Sequence, residues 1–103
     1  MGASQAKPYE GPTVAGKVPL TVFYGANWDG GDQEREAVTR FIKEVVPEAS
    51  VVPKCVRQVE IRVVDTTEDK EIFRSAQREF FGKNGHRGKE PLQEALLKAY
   101  GSK

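Results

Sequence analysis

The stretch from Pro19 to Pro47 constrains this chain more than any other. Leu20-Thr21-Val22-Phe23-Tyr24 carries apolar side chains toward both faces of an extended segment, the pattern of a strand in the middle of a sheet. Pro19 is tolerated because it opens the run. Gly25 ends the strand, and Ala26-Asn27-Trp28-Asp29-Gly30-Gly31 is rich in turn formers. Ala37, Val38, Phe41, Ile42, Val45 and Val46 then recur with the spacing of one helical face. Asp32 is expected to cap this helix, with Glu34 and Glu36 near its positive end. The pairs Glu36–Arg40 and Arg40–Glu44 are expected along its wet side, and Pro47 stops it. A strand, a tight turn and an amphipathic helix in this order commit the chain to an α/β fold.

The remainder divides by composition. All twelve valines precede residue 65, and three of the four leucines follow residue 91, so the front suits sheet and the tail suits helix. Ser50-Val51-Val52 is expected to form a short strand, broken or bent by Pro53. Val59, Ile61 and Val63 alternate with Gln58, Glu60 and Arg62, the signature of a half-buried strand. Pro91 suits the first turn of a closing helix in which Leu92, Ala95, Leu96 and Ala99 share a face, and Gly101 ends it. Residues 66–82 carry two readings. Ile72, Phe73, Ala76, Phe80 and Phe81 fall on one helical face, and local pattern favours a helix over 68–81, capped by Thr66 or Thr67 and closed by Gly82. The rival pairs Glu71-Ile72-Phe73-Arg74-Ser75 with Val59–Val63 as a hairpin through Asp65–Asp69. Residues 1–17 hold three Gly, two Pro and a single Val without any period, and read as a flexible leader before one domain over 18–103.

Charge and composition exclude several functions. Leu, Ile, Val and Phe total 24 of 103 residues, enough for a small core only. Sixteen basic against fifteen acidic residues give a net charge of +1, which argues against a specific nucleic-acid binder. No apolar run reaches the length of a membrane span. One cysteine excludes an internal disulfide, and one cysteine with one histidine cannot make a structural zinc site. Neither a metal nor a cofactor is expected.

Two local patterns resemble known families. Val22-Phe23-Tyr24-Gly25-Ala26-Asn27-Trp28-Asp29-Gly30-Gly31-Asp32 is similar to the strand and W-C-G-P-C turn of thioredoxins, with Asp29 and Asp32 where the cysteines would stand. The same stretch resembles the Rdx family, to which selenoprotein W belongs, in which a strand ends in Y-C-x-x-C or its selenocysteine form and enters a helix that stops at a proline. Here that pattern reads Tyr24-Gly25-Ala26-Asn27-Trp28, with the proline at Pro47. Val59-Glu60-Ile61-Arg62-Val63, Ile72-Phe73-Arg74-Ser75, Asn84-Gly85 and Leu92–Tyr100 are similar in order to the family's later strand, hairpin, Gly-containing loop and closing helix. The resemblance covers residues 20–100 in pieces and departs from the family at the turn and over 64–83. It implies a thioredoxin-like small mixed sheet in β-α-β-β-β-α order with helices packed on it, the alternative being β-α-β-β-α-α if 68–81 is helical.

Thiol–disulfide exchange needs an attacking thiolate and usually a resolving thiol. Gly25 and Trp28 occupy the thiol positions in one register, Asp29 and Asp32 in the other, so neither supplies sulfur. Asp29 and Asp32 at a helix N-terminus favour ionised carboxylates, poor proton donors that suit a turn and a cap. Trp28 reads either as a core residue or as an exposed anchor for a partner protein. Cys55, with Lys54 and Arg57 close in sequence, reads as a half-buried strand residue or as a single redox or glutathione-linked thiol. Gly82-Lys83-Asn84-Gly85-His86-Arg87-Gly88-Lys89-Glu90 lacks the spacing and the Ser or Thr of a phosphate-binding loop and reads as a solvated basic loop; His86 has no partner in sequence. Met1-Gly2-Ala3-Ser4-Gln5-Ala6 nearly fits the N-myristoylation signal, with Ala6 where Ser or Thr is preferred. The expectation is a non-catalytic, thioredoxin-like, cytoplasmic domain that binds a protein through Gly25, Asn27, Trp28, Asp29 and Asp32, and that meets membranes only if Gly2 is lipidated. The alternatives are redox chemistry at Cys55 and a structural subunit of a larger assembly.

Overall fold

The computed structural model describes residues 9–25 and 31–101, with Lys83 described by its backbone alone. Its elements run β1 (Pro19–Gly25), α1 (Asp32–Val45), β2 (Ser50–Val56), β3 (Glu60–Asp65), β4 (Lys70–Ala76) and α2 (Lys89–Leu96). Two 3-10 turns, Gln77–Phe80 and Gly82–Asn84, lead from β4 to α2, and α2 widens into a π turn at Leu97–Gly101. The strands form a mixed four-stranded sheet in the order β2-β1-β3-β4. β1 pairs parallel with β2, across α1, and antiparallel with β3, which forms a hairpin with β4. The chain is therefore a mixed α/β domain, and among the described residues no helix is long and apolar enough to cross a membrane.

One core lies between the helices and one face of the sheet. Leu20 and Val22 of β1 and Ile61 and Val63 of β3 meet Val38, Phe41, Ile42 and Val45 of α1 and Leu92 and Leu96 of α2. Each fully buried Leu, Ile, Val or Phe contributes about 1.5–3 kcal/mol of transfer free energy. All six apolar positions of the 37–46 pattern are buried, as their spacing requires. The opposite face of β1 carries Phe23, which the Arg62 guanidinium covers at 4.8 Å from the ring centroid. Arg62 and Arg74, opposite one another on β3 and β4, share the Glu71 carboxylate at 3.2 and 2.9 Å. The second apolar face expected of β1 thus rests on a cation and its ion pairs.

Several expectations are corrected. Residues 70–76 are strand, so the helical alternative over 68–81 fails. Of the apolar residues that gave it a helical spacing, Ile72, Phe73 and Ala76 belong to a bulged strand and Phe80 and Phe81 follow it: the register shifts at Val63/Val64, so that Ile72 and Phe73, consecutive in sequence, both pack on the core. β2 continues through Pro53 because β2 is an edge strand, where a missing N–H is tolerated. Val59 lies before β3 and is 52% exposed, outside the alternation assigned to it. Gly31, not Asp32, caps α1, and Asp32 is the first helical residue. Ala99 is exposed because the π turn widens the helix and brings Tyr100 toward the core instead. Part of the segment read as leader is anchored, since Val14 is buried and its N–H donates to the Val45 carbonyl at 2.7 Å.

Tyr100 also fixes the far end of the sheet. Its hydroxyl donates to Asp65 Oδ2 at 2.6 Å, while Asp65 Oδ1 accepts the Glu68 N–H at 2.9 Å and shapes the β3–β4 turn. The Tyr100 hydrogen bond, followed by that from Glu68, holds the Asp65 carboxyl below its usual range, while burial and the neighbouring carboxylate raise the Tyr100 phenol. A depressed carboxylate adds stability that is fully present above the unfolded value, about pH 4, and is lost as pH falls through the lower folded value. Tyr100→Phe is expected to cost about 1 kcal/mol at neutral pH and to flatten that acid dependence. Urea unfolding of both proteins between pH 7 and pH 2 measures this.

Candidate functional site at the end of β1

The last residue of β1 is held by an interaction two strands away. The β1–β3 ladder pairs Phe23 with Arg62 and stops there; the same register continued would set Gly25 against Glu60. In its place stands the side chain of Gln77, just past β4. The Gly25 N–H donates to Gln77 Oε1 at 2.7 Å, and Gln77 Nε2 donates to the Gly25 carbonyl at 2.8 Å. A carboxamide offers one donor and one acceptor side in the manner of a peptide group, so it can occupy a ladder position. Gln77 is fully buried, which makes both bonds costly to lose.

Position 25 is also closed sterically. A Cβ on Gly25 would meet the Gln58 carbonyl oxygen, would lie 2.7 Å from Val59 Cα and 2.9 Å from the Gln58 carbonyl carbon. The link between β2 and β3 therefore crosses directly over Gly25, and its backbone cannot give way as a flexible side chain could. At the other end of the bend Gly31 has φ 76°, and a Cβ there would strike the Gly25 carbonyl oxygen. Two glycines and one amide thus pin both ends of the bend. Tyr24 packs on the core, with the Arg35 guanidinium 5.7 Å from its ring centroid. Arg35 faces Asp32 at 3.5 Å and Glu36 at 3.7 Å, and its Nε is buried without a hydrogen-bond partner.

The structure gathers some of the expected residues and separates others. Gly25 and Asp32 stand at the two ends of the bend, and Asp32 is exposed. Asn27, Trp28 and Asp29 lie outside the described residues, as does Gly2. Cys55 is exposed on β2, opposite Tyr24 and one residue before Val56, which faces Gly25. Its thiol therefore lies at the same end of the sheet as the bend, and the half-buried placement is corrected: an edge strand has no neighbour to cover it. His86, without a partner in sequence, finds one in the fold: its ring packs edge-on against Phe41 with centroids 5.2 Å apart. Among the described residues no group of three His, Cys, Asp or Glu side chains could hold a metal ion. Gln77 was not foreseen, because a lone glutamine after a strand carries no period or motif.

No protein-family model, curated protein or solved structure matches this chain. What position 25 can do follows from its contacts alone. Backbone groups of Gly25 are consumed by Gln77, and a side chain at position 25 is excluded. Gly25→Ala is expected to destabilise the fold by about 3 kcal/mol, because the added methyl meets backbone. Gln77→Leu, which keeps the volume but strands a buried N–H and C=O, is expected to cost about 3 kcal/mol as well. Urea denaturation curves of the two variants and the double variant check both values, and strong coupling is expected between them.

Proposed function

We propose that this chain is a thioredoxin-like domain of the Rdx kind in which a backbone clamp replaces the thiol site, and that it acts by binding a protein partner at the 25–32 bend. The observation that carries the reading is the closure of position 25, where the Rdx pattern has its first thiol. Even a methyl group meets the Gln58–Val59 backbone there, so the residue is built for packing and excludes a cysteine side chain. The β-α-β-β-β-α order and the placement of the bend between a central strand and a helix support the fold half of the proposal. Bends at strand ends carry binding residues because a rigid frame holds them while their side chains remain open. Trp28 is the residue of this bend best suited to anchor a partner, since a large aromatic gains most from burial in an interface.

The expected outcome is a protein without dithiol oxidoreductase activity, whose partners depend on Trp28. Affinity isolation with the unmodified chain and with Trp28→Ala should yield protein partners that the variant loses, with matched unfolding curves showing that both chains fold. An unchanged set of partners overturns the binding half of the proposal, and reduction of a disulfide substrate overturns the other.

A second reading rests on the exposure of Cys55 beside the bend. In that reading Cys55 exchanges with glutathione disulfide: its thiolate attacks one sulfur, a protein–glutathione disulfide forms, and glutathione thiolate leaves. The binding proposal expects Cys55→Ser to retain every partner of the unmodified chain. Rapid, selective glutathionylation seen by intact mass, together with loss of partners in Cys55→Ser, would favour the redox reading.

A further inference from the structure

The helix layer carries a second cluster that the bend does not use. Three basic side chains from three segments surround one aromatic ring. The Arg40 guanidinium of α1 lies 5.1 Å from the Phe41 ring centroid, the Lys89 ammonium at the start of α2 lies 5.3 Å from it, and the His86 ring lies 5.2 Å from it. The backbone sets this arrangement. His86 N–H donates to the Phe81 carbonyl at 3.2 Å, and the Lys89 N–H donates to the His86 carbonyl at 3.0 Å. The loop is thereby closed on itself, and the His86 ring rests against Phe41 of α1.

Within the cluster, the charge of Arg40 has no carboxylate opposite it. Arg40 was expected to pair with Glu36 and Glu44 along α1, and neither pair forms. Glu36 lies against Arg35, while Glu44 accepts a 2.8 Å hydrogen bond from Gln93 Nε2 and stands 3.9 Å from Lys89. Among the described residues Arg40 therefore has an aromatic neighbour but no carboxylate partner. Close by, Arg87 is matched by Glu79 at 3.2 Å. Burial, then Arg40, then Lys89 hold the His86 imidazole below its ordinary range, so both cations are felt at the ring that packs edge-on against Phe41.

We infer that His86, Arg40 and Lys89 form a binding site for a tetrahedral oxyanion of the phosphate class. Arg40 offers several N–H donors, Lys89 a compact charge, and His86 a donor that gains its second proton when the anion arrives. Glu44 beside Lys89 and Glu90 in the first turn of α2 oppose the anion, and Arg87 is already neutralised by Glu79. These groups set the affinity through the balance that Arg40 tips. The site is separate from the bend and stands whether or not the bend binds a protein.

The chain has a single histidine, so its imidazole is an unambiguous reporter. His86 is titrated by NMR in chloride, in inorganic phosphate and in sulfate at one ionic strength; sulfate remains a dianion throughout the titration. Its pKa is expected to rise by about half a unit or more in sulfate and phosphate. Arg40→Gln and Lys89→Gln should each raise the chloride value and reduce the response to sulfate. Lys43→Gln, an exposed change elsewhere on α1, should leave both unchanged. Identical titrations in chloride and sulfate overturn the inference. So does an equal loss of response in all three variants, which marks diffuse charge instead of a site.

Discussion

The double hydrogen bond between the Gln77 carboxamide and the Gly25 backbone is the interaction on which the rest of this arrangement depends. β3 turns away from β1 after the Phe23–Arg62 pair, so the last residue of the central strand would otherwise end with a buried N–H and C=O unmet. Only a side chain with donor and acceptor on one planar group can satisfy both. Glutamate lacks the donor, and asparagine is a methylene shorter. Because Gln77 follows β4 directly, the clamp joins the end of the sheet's outer strand to its centre and leaves the β2–β3 link to close over Gly25. The end of β1 is thus fixed by backbone and amide chemistry before any functional side chain is considered.

The same device recurs in the helix layer. Gln93 of α2 is buried and donates to the Phe41 carbonyl at 3.0 Å and to Glu44 Oε1 at 2.8 Å, tying the two helices by a polar contact amid apolar packing. Buried amides with their partners in place cost little and define a single arrangement; with a partner missing they cost several times more. A domain with few large apolar residues gains its register from such contacts. The Asp65–Tyr100 bond does so at the opposite end, linking the hairpin turn to the chain's last helical turn.

Much of the frame was legible because it follows from periodicity. Leu20 and Val22 of the strand at 20–24, the six apolar positions of the 37–46 pattern and the pair Leu92 and Leu96 were all set by spacing and are buried, with Tyr24 packed on the core as a partly buried residue. What escaped depends on tertiary context. The bulge that places Ile72 and Phe73 on one side imitates helical spacing, so local pattern pointed to a helix where the chain pairs as a strand. Pro53 suggested a break because the edge position of β2 is not written in its sequence. Of the site, the absence of sulfur at Gly25 was readable from one residue, but the reason Gly is needed there was not, since Gln58, Val59 and Gln77 reach it only through the fold. The diversion of Glu44 from Arg40 to α2 is likewise a contact between helices that no single-helix rule foresees.

Closure of position 25 by backbone, with Gln77 as its lock, is most directly measured by amide hydrogen exchange at Gly25. A buried N–H held at 2.7 Å within the clamp exchanges only when the domain unfolds, so its protection should equal the global stability and should fall steeply in Gln77→Leu. Exchange at Gly25 as fast as at the exposed edge positions of β2, under conditions where the core amides of α1 remain protected, would contradict the account: the clamp would then be open, and the Gly25 backbone free for other partners.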